Sequence, residues 1–315
     1  MWHQSWTWFR ESLTLDRWLS KSTPNSLRKD MAAGLTVGVM LIPQAMAYAV
    51  IAGLPPIYGL YGALVPLLVY PIFGTSRQLA IGPQALDMLI LAAGLGAVVE
   101  VGTGEYVGMA IIVTAMVGVL QIAMGAMQLG FVANLLSRPV IAGLTSAAAL
   151  IISFSQLGSL LGVDLGNSQY VHVVLWRTVQ HLGEVHLLSM GIGAVGVAIL
   201  LGLPRWLPAV PEALVVVALA TVASYAFAFE QQGVAVVGSI PEGLPPITLP
   251  ALSFNTLDTL LPAAVTLALV QFMKNVSLGR VFATRHGYTI DANRELVGLG
   301  SANLVGSFFS SIPVS

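Results

Sequence analysis

The sequence predicts an all-α membrane protein that crosses the bilayer several times, on three observations: charge is scarce, it is unevenly placed, and apolar segments recur along the chain. Of the 315 residues, 56% are hydrophobic and 9% charged, against roughly 25% charged in a water-soluble domain. Water is therefore not the solvent for most of the surface, and the lipid bilayer is the first partner. Eight of the 27 charged residues lie within residues 1–30, and none falls between Asp30 and Arg77. That run of 46 residues accommodates two spans of about 20 residues each. A net charge of -1 with no basic cluster interleaved with aromatics sets nucleic acid aside as a partner. With no cysteine, disulfide frameworks and thiolate chemistry are excluded. The N-terminus lacks the basic start and apolar core of a cleavable signal peptide, so the first span is expected to act as its own insertion signal.

Residues 1–30 read as a cytoplasmic segment. Within it, Trp6, Phe9, Leu13 and Trp18 are set among Arg10, Glu11, Asp16 and Arg17, the pattern of a short helix in the headgroup region; a frayed polar tail is the alternative. After Pro24 and the Arg28-Lys29-Asp30 cluster, apolar segments separated by Gly, Pro or charge are expected at 31–53, 55–73, 82–99, 106–128, 132–162, 187–203, 208–229, 256–279 and 292–311. The first seven form one block, 31–229; an outer loop, 230–255, joins it to a second, 256–315.

Basic residues test this division, because cytoplasmic loops collect Lys and Arg. With the N-terminus inside, five of the 13 basic residues lie there, and Arg77, Arg138, Arg205, Arg280, Arg285 and Arg294 fall on the same side. Only Arg177 falls outside, Lys274 lies within a span, and the outer loops hold Glu100, Glu105, Asp164, Glu184, Glu230 and Glu242. The expectation is an integral protein of the cell (inner) membrane with a cytoplasmic N-terminus.

Two segments are irregular. The third opens on Gly82-Pro83, where Pro at the first helical position would start a helix below the membrane surface. A second Pro, Pro313, follows the ninth segment. Short Pro-introduced segments in corresponding halves point to discontinuous helices that face each other at midplane. A weak repeat agrees: a shift of 230 places Ala33 on Ala263, Thr36 on Thr266 and Gln44 on Lys274, and a shift of 239 places Gly59-Leu60 on Gly298-Leu299.

From Leu54 the chain reads LPPIYGLYGALVPLLVYPIFGTSRQLAIGP. This closely resembles the signature stretch of the SulP, or sulfate permease, family through Pro56, Tyr58, Leu60, Tyr61, Tyr70, Gly74, Ser76 and Arg77. Asp30 with AAGLTVGVMLIPQAMAYAVIAGLPP is similar to the family's first span, and Glu295 with LVGLGSANLVGSFF to its ninth. The resemblance implies fourteen segments in two inverted seven-segment repeats, with discontinuous third and tenth segments, core and gate subdomains, and often an appended STAS domain and homodimers. About nine segments are present, so the sequence is expected to be a truncated transport domain.

The resemblance further implies an anion held between the N-termini of the third and tenth segments and flanked by the first and eighth. Exposed N–H groups at a helix N-terminus suit an anion on physical grounds alone. Gly82 permits close backbone approach, Pro83 starts the helix, and Gln84 follows as a rim contact. Gln44, in mid-span, can donate two hydrogen bonds without imposing charge. Tyr48, four residues on, shares its face, as a ligand or as an ordinary packing aromatic. Asp87 reads as a structural partner, since a carboxylate would repel the substrate. Lys274 stands where the resemblance places a glutamate tied to proton coupling. A lysine there favours anion entry and removes coupling through that carboxylate; the readings left open are a proton carrier of its own, or a residue that snorkels or pairs with Asp87.

Secondary active transport of a small inorganic anion of the sulfate, bicarbonate or chloride class, by alternating access, is the expected function; an uncoupled anion channel of the same fold is the alternative. No enzyme is expected, for neither HExxH nor GxSxG occurs. No cofactor or metal is expected either, because His3, His172, His181, His186 and His286 all fall in the tail or in loops.

Overall fold

The structure, a computed structural model, describes residues 24–134, 138–165, 170–207, 210–238, 243–248 and 254–315. The headgroup helix expected at 6–20 lies outside the described residues, as do His3, Glu242 and other parts of the 230–255 loop. In chain order the α-helices are α1 Pro24–Ile51, α2 Pro56–Phe73, α3 Ala85–Gly96, α4 Gly104–Ala126, α5 Arg138–Ser155, α6 Leu157–Leu161, α7 Val171–Gln180, α8 Leu187–Trp206, α9 Glu212–Phe227, α10 Phe254–Arg285 and α11 Ala292–Ser307. A 3-10 turn at Leu129–Asn134 follows α4. Among the described residues, five helices are long and apolar enough to cross a membrane: Leu27–Ile51, Pro56–Phe73, Gly104–Ala126, Leu187–Trp206 and Leu257–Arg285.

The chain divides into two compact units. The first draws on residues up to 35, then 44–145 and 241 onward. In it α11 packs against α4 and α2, while α10 packs against α4 and α3. Small residues allow these approaches, as is usual where lipid supplies no hydrophobic drive between helices. A Cβ on Gly300 would stand 2.8 Å from the Gly118 carbonyl oxygen, and one on Gly298 would stand 2.9 Å from the Gly74 nitrogen. Around these crossings lies an apolar cluster that includes Ala49, Met88, Leu91, Tyr106, Val113, Leu260, Leu267 and Ile312. The buried Tyr106 hydroxyl donates to the Ala52 carbonyl at 2.7 Å, tying α4 to the end of α1. Tyr106→Phe is expected to cost about 1 kcal/mol, read as a lower midpoint of thermal unfolding in detergent.

The second unit draws on 36–43 and 146–240. In it α8 packs on α9 and on the short α6. Gly162, at φ +68°, closes α6 in the left-handed region, and the chain returns to pair the His186 amide with the Leu161 carbonyl at 2.9 Å.

Three expected boundaries move. Helix α1 already covers residues 24–30, upstream of the expected 31, with the Arg28-Lys29-Asp30 cluster exposed on it, and its part long and apolar enough to cross begins at Leu27. The fifth segment, expected at 132–162, is broken into the 3-10 turn, α5 and α6. The third begins at Ala85, two residues beyond Pro83. Pro83 therefore precedes the helix instead of opening it. Gly82 bonds to Ser315 elsewhere in the chain, and Gln84 has extended backbone.

Candidate functional site

Twelve residues make α3 about 18 Å long, short of a hydrocarbon core of about 30 Å. Residues 79–84, which lead into α3, are non-helical. Their partner is the segment after α11. Gly82 donates to the Ser315 carbonyl at 3.3 Å and its own carbonyl accepts from the Ser315 amide at 3.1 Å. This reciprocal pair is the unit of an antiparallel ladder, and it sets the two Pro-containing strands side by side. The Gln84 side-chain amide adds a 2.8 Å bond to the same Ser315 carbonyl. Gly62 of α2 opens the space for this, since a Cβ there would stand 3.0 Å from the Pro83 ring and 3.3 Å from Ile312.

Gln84 has extended backbone (φ -130°, ψ 145°) and its side chain does not cap α3. The first-turn N–H groups of a helix find no carbonyl within the helix, so this end of α3 keeps its positive dipole. Within that first turn, Asp87 is fully buried and accepts from three side chains. Lys274 Nζ of α10 approaches Oδ1 at 2.9 Å; Gln271 Nε2 donates to Oδ2 at 3.3 Å, and the Ser315 hydroxyl donates to the same oxygen. The pairing of Lys274 with Asp87, one of the readings left open by the sequence, is thus present. Its two members are unequally placed: the Lys274 side chain is 16% exposed and that of Asp87 is not exposed at all.

Gly82, Pro83, Gln84 and Lys274 accordingly come together around Ser315 and Asp87. Gln44 and Tyr48 sit on α1, joined by a 2.9 Å bond from the Gln44 amide to the Tyr48 hydroxyl. Gln44 is exposed, and Tyr48 packs on the apolar cluster that holds Met88 and Ile312. No hydrogen bond among the described residues joins these two to the other four.

A second layer of polar residues escaped the sequence reading. Gln121, Gln271 and Asn303, on α4, α10 and α11, are all fully buried. Gln121 Nε2 donates to Gln271 Oε1 at 3.1 Å, and Asn303 Nδ2 shares its two N–H bonds among Gln121 Oε1 at 3.2 Å, Gln271 Oε1 at 3.4 Å, the Leu299 carbonyl at 3.1 Å and the Val314 carbonyl. Polar side chains inside apolar spans are the signal that picked out Gln44 and Lys274; applied evenly, it reaches these three. Glu295 is a fourth. Its buried carboxylate accepts from the Tyr70 hydroxyl at 2.6 Å, from the Thr75 amide and hydroxyl at 2.6 Å each and from the Ser76 amide at 2.9 Å.

Two extended Pro-containing segments paired by backbone, a short helix opening from one of them, a buried ion pair and five helices long and apolar enough to cross a membrane define a polytopic membrane protein with a polar interior. The pattern of the sulfate permease family matches residues 27–315, and the chain belongs to that family. It is 37% identical over 292 residues to the chloroplastic sulfate transporter 4.1 of Arabidopsis thaliana, covering 91% of this chain and 42% of that protein. To a probable sulfate transporter of Mycobacterium tuberculosis it is 38% identical over 290 residues, covering 92% of this chain and 51% of the relative. The chain spans about half the length of the curated relatives it matches. Among solved structures, the murine Slc26a9 anion transporter in the inward-facing state superposes with a TM-score of 0.90 at 26% identity, over 98% of this chain and 54% of that one. The transmembrane domain of the cyanobacterial bicarbonate transporter BicA does so with a TM-score of 0.82 at 25% identity, over 94% and 76%. Family and helices together make this an integral, multi-pass membrane protein.

Proposed function

We propose that this chain carries the first repeat (31–229) and the opening of the second (256–315) of a secondary active anion transporter that works by alternating access. Residues 1–30 are cytoplasmic in this reading, and the protein acts as a homodimer in the cell membrane. The observation that carries it is the reciprocal Gly82–Ser315 pairing, which sets the residues before α3 beside the Lys274–Asp87 pair through the Ser315 hydroxyl. The substrate is a small inorganic anion of the sulfate, bicarbonate or chloride class, contacted by Gln44, Tyr48, Gly82, Pro83, Gln84 and Lys274.

Burial decides the sign of the site. Lys274 and Asp87 are neutral as a pair, but the carboxylate is enclosed by its donors and the ammonium lies on the accessible side. An incoming anion therefore meets the cation first, with the half-helix dipole adding to the attraction. One of the three ammonium N–H bonds serves Asp87; the other two are available to substrate. Proton symport through a carboxylate at position 274 is absent, and Asp87 is engaged with Lys274.

The test is uptake of labelled sulfate, bicarbonate and chloride by the full-length protein in lipid vesicles, under imposed pH and sodium gradients. A carrier accumulates at least one of these anions above equilibrium, whereas a channel only equilibrates it. Failure to move any of the three overturns the reading. In the same assay Lys274→Glu is expected to alter the pH profile of uptake; an unchanged rate and profile would remove Lys274 from coupling.

A further inference from the structure

We infer that Asn303 is a positioning residue for the anion cradle, holding its second strand in register with the first and linking that strand to the Lys274–Asp87 pair; the inference rests on the transport reading above. The Asn303 carboxamide grips one backbone residue at two points. Its Nδ2 donates to the Val314 carbonyl at 3.0 Å, and its Oδ1 accepts from the Val314 amide at 2.8 Å. A carboxamide carries a donor and an acceptor at the spacing of a peptide group, so Asn303 stands in for a neighbouring β-strand. Residue 315, next along, then makes its pair with Gly82.

The two strands are in this way tied to one helix. Glu295, near the start of α11, fixes Thr75 and Ser76 at the entry to the first strand; Asn303, eight residues and about 12 Å further along the axis, fixes Val314 in the second. Between these anchors Leu299 and Ala302 of α11 pack with Ile81 and Val314. The circuit from Glu295 through Ser76, Gly82, Ser315, Val314 and Asn303 back along α11 is closed, and its length is set by a rigid helix. From Asn303 a branch runs through Gln271 to Asp87 and so to Lys274. A shift at Asn303 moves both the backbone donors and the charge that face the anion.

Thr114 of α4 supplies the control, because it is equally buried and its hydroxyl bonds only the Ala110 carbonyl of its own helix. The experiment measures initial uptake rates of labelled anion in vesicles for the full-length wild type and for Asn303→Leu, Asn303→Ser and Thr114→Val. Asn303→Leu keeps the branched shape and adds no charge; it is expected to raise KM about tenfold and to narrow discrimination between sulfate and chloride. Asn303→Ser, which keeps one hydrogen-bonding group, should fall between it and wild type, and Thr114→Val should keep KM within twofold even where thermal stability drops. An Asn303→Leu KM within twofold of wild type, or an equal rise in Thr114→Val, overturns the proposal. If Asn303→Leu does not fold, Asn303→Ser decides by the same criterion; if neither folds while Thr114→Val does, Asn303 serves folding alone and the proposal falls. A wild type that moves no anion refutes the transport reading instead, so the two failures are distinct.

Discussion

Lys274→Met is expected to be the most damaging single substitution at the site, lowering stability by about 3–5 kcal/mol because it leaves the enclosed Asp87 carboxylate without its cation. Asp87 would retain the Ser315 hydroxyl and the Gln271 amide, neither of which carries charge. Removing both charges reverses most of that loss. When Asp87→Asn is combined with Lys274→Met, the carboxamide oxygen at position 87 still accepts from Ser315, and buried ion pairs replaced by neutral groups of similar volume are often close to neutral in stability. Transport should respond differently. The double variant is expected to regain the wild-type unfolding midpoint in detergent but not its anion affinity, because the ammonium that faces the accessible side is still missing. Full recovery of uptake in the double variant would show that Lys274 serves only to neutralise Asp87.

Gly300→Val is the second large effect expected, and it arises from backbone and not from charge. The Cβ would sit 2.8 Å from both the Gly118 carbonyl oxygen and the Ile122 nitrogen, atoms of the facing helix that no rotamer change can withdraw. Overpacking of this kind costs about 1–3 kcal/mol where side chains can yield, and here the whole α4–α11 crossing must separate. Loss of folded protein in detergent, measured as the monodisperse fraction in size-exclusion chromatography, is the expected result. Gly96→Val is the comparison, since a Cβ at Gly96 meets nothing within 4 Å; it should leave that fraction unchanged.

Much of this architecture was legible in the chain because lipid imposes a one-letter rule on it: long apolar runs cross, and charges mark where they stop. The spans at 55–73 and 106–128 were placed to within a few residues for that reason. Position 85 was not. The local signal, Gly82-Pro83, speaks for a helix start, whereas Gly82 and the Gln84 side chain bond to Ser315, more than 200 residues away. Long-range pairing leaves no local trace. The Lys274–Asp87 pair was foreseeable because an intramembrane charge requires a partner and few exist. Asn303 was harder, since its importance lies in gripping backbone, and any residue at 314 presents the same two groups.

The enclosure of α11 has a consequence for how the protein is made. Its sixteen residues include Arg294 and Glu295 in the first turn and Asn303 further along, and it is not among the helices long and apolar enough to cross a membrane; polar residues in a span are costly to place in lipid. Such a segment is a poor candidate for partitioning into lipid alone. It enters favourably only once the crevice between α2 and α4 exists to receive it. The order of synthesis meets that requirement: both helices are translated well over a hundred residues earlier, so nascent-chain assembly, and not hydrophobicity, recruits the scaffold of the site.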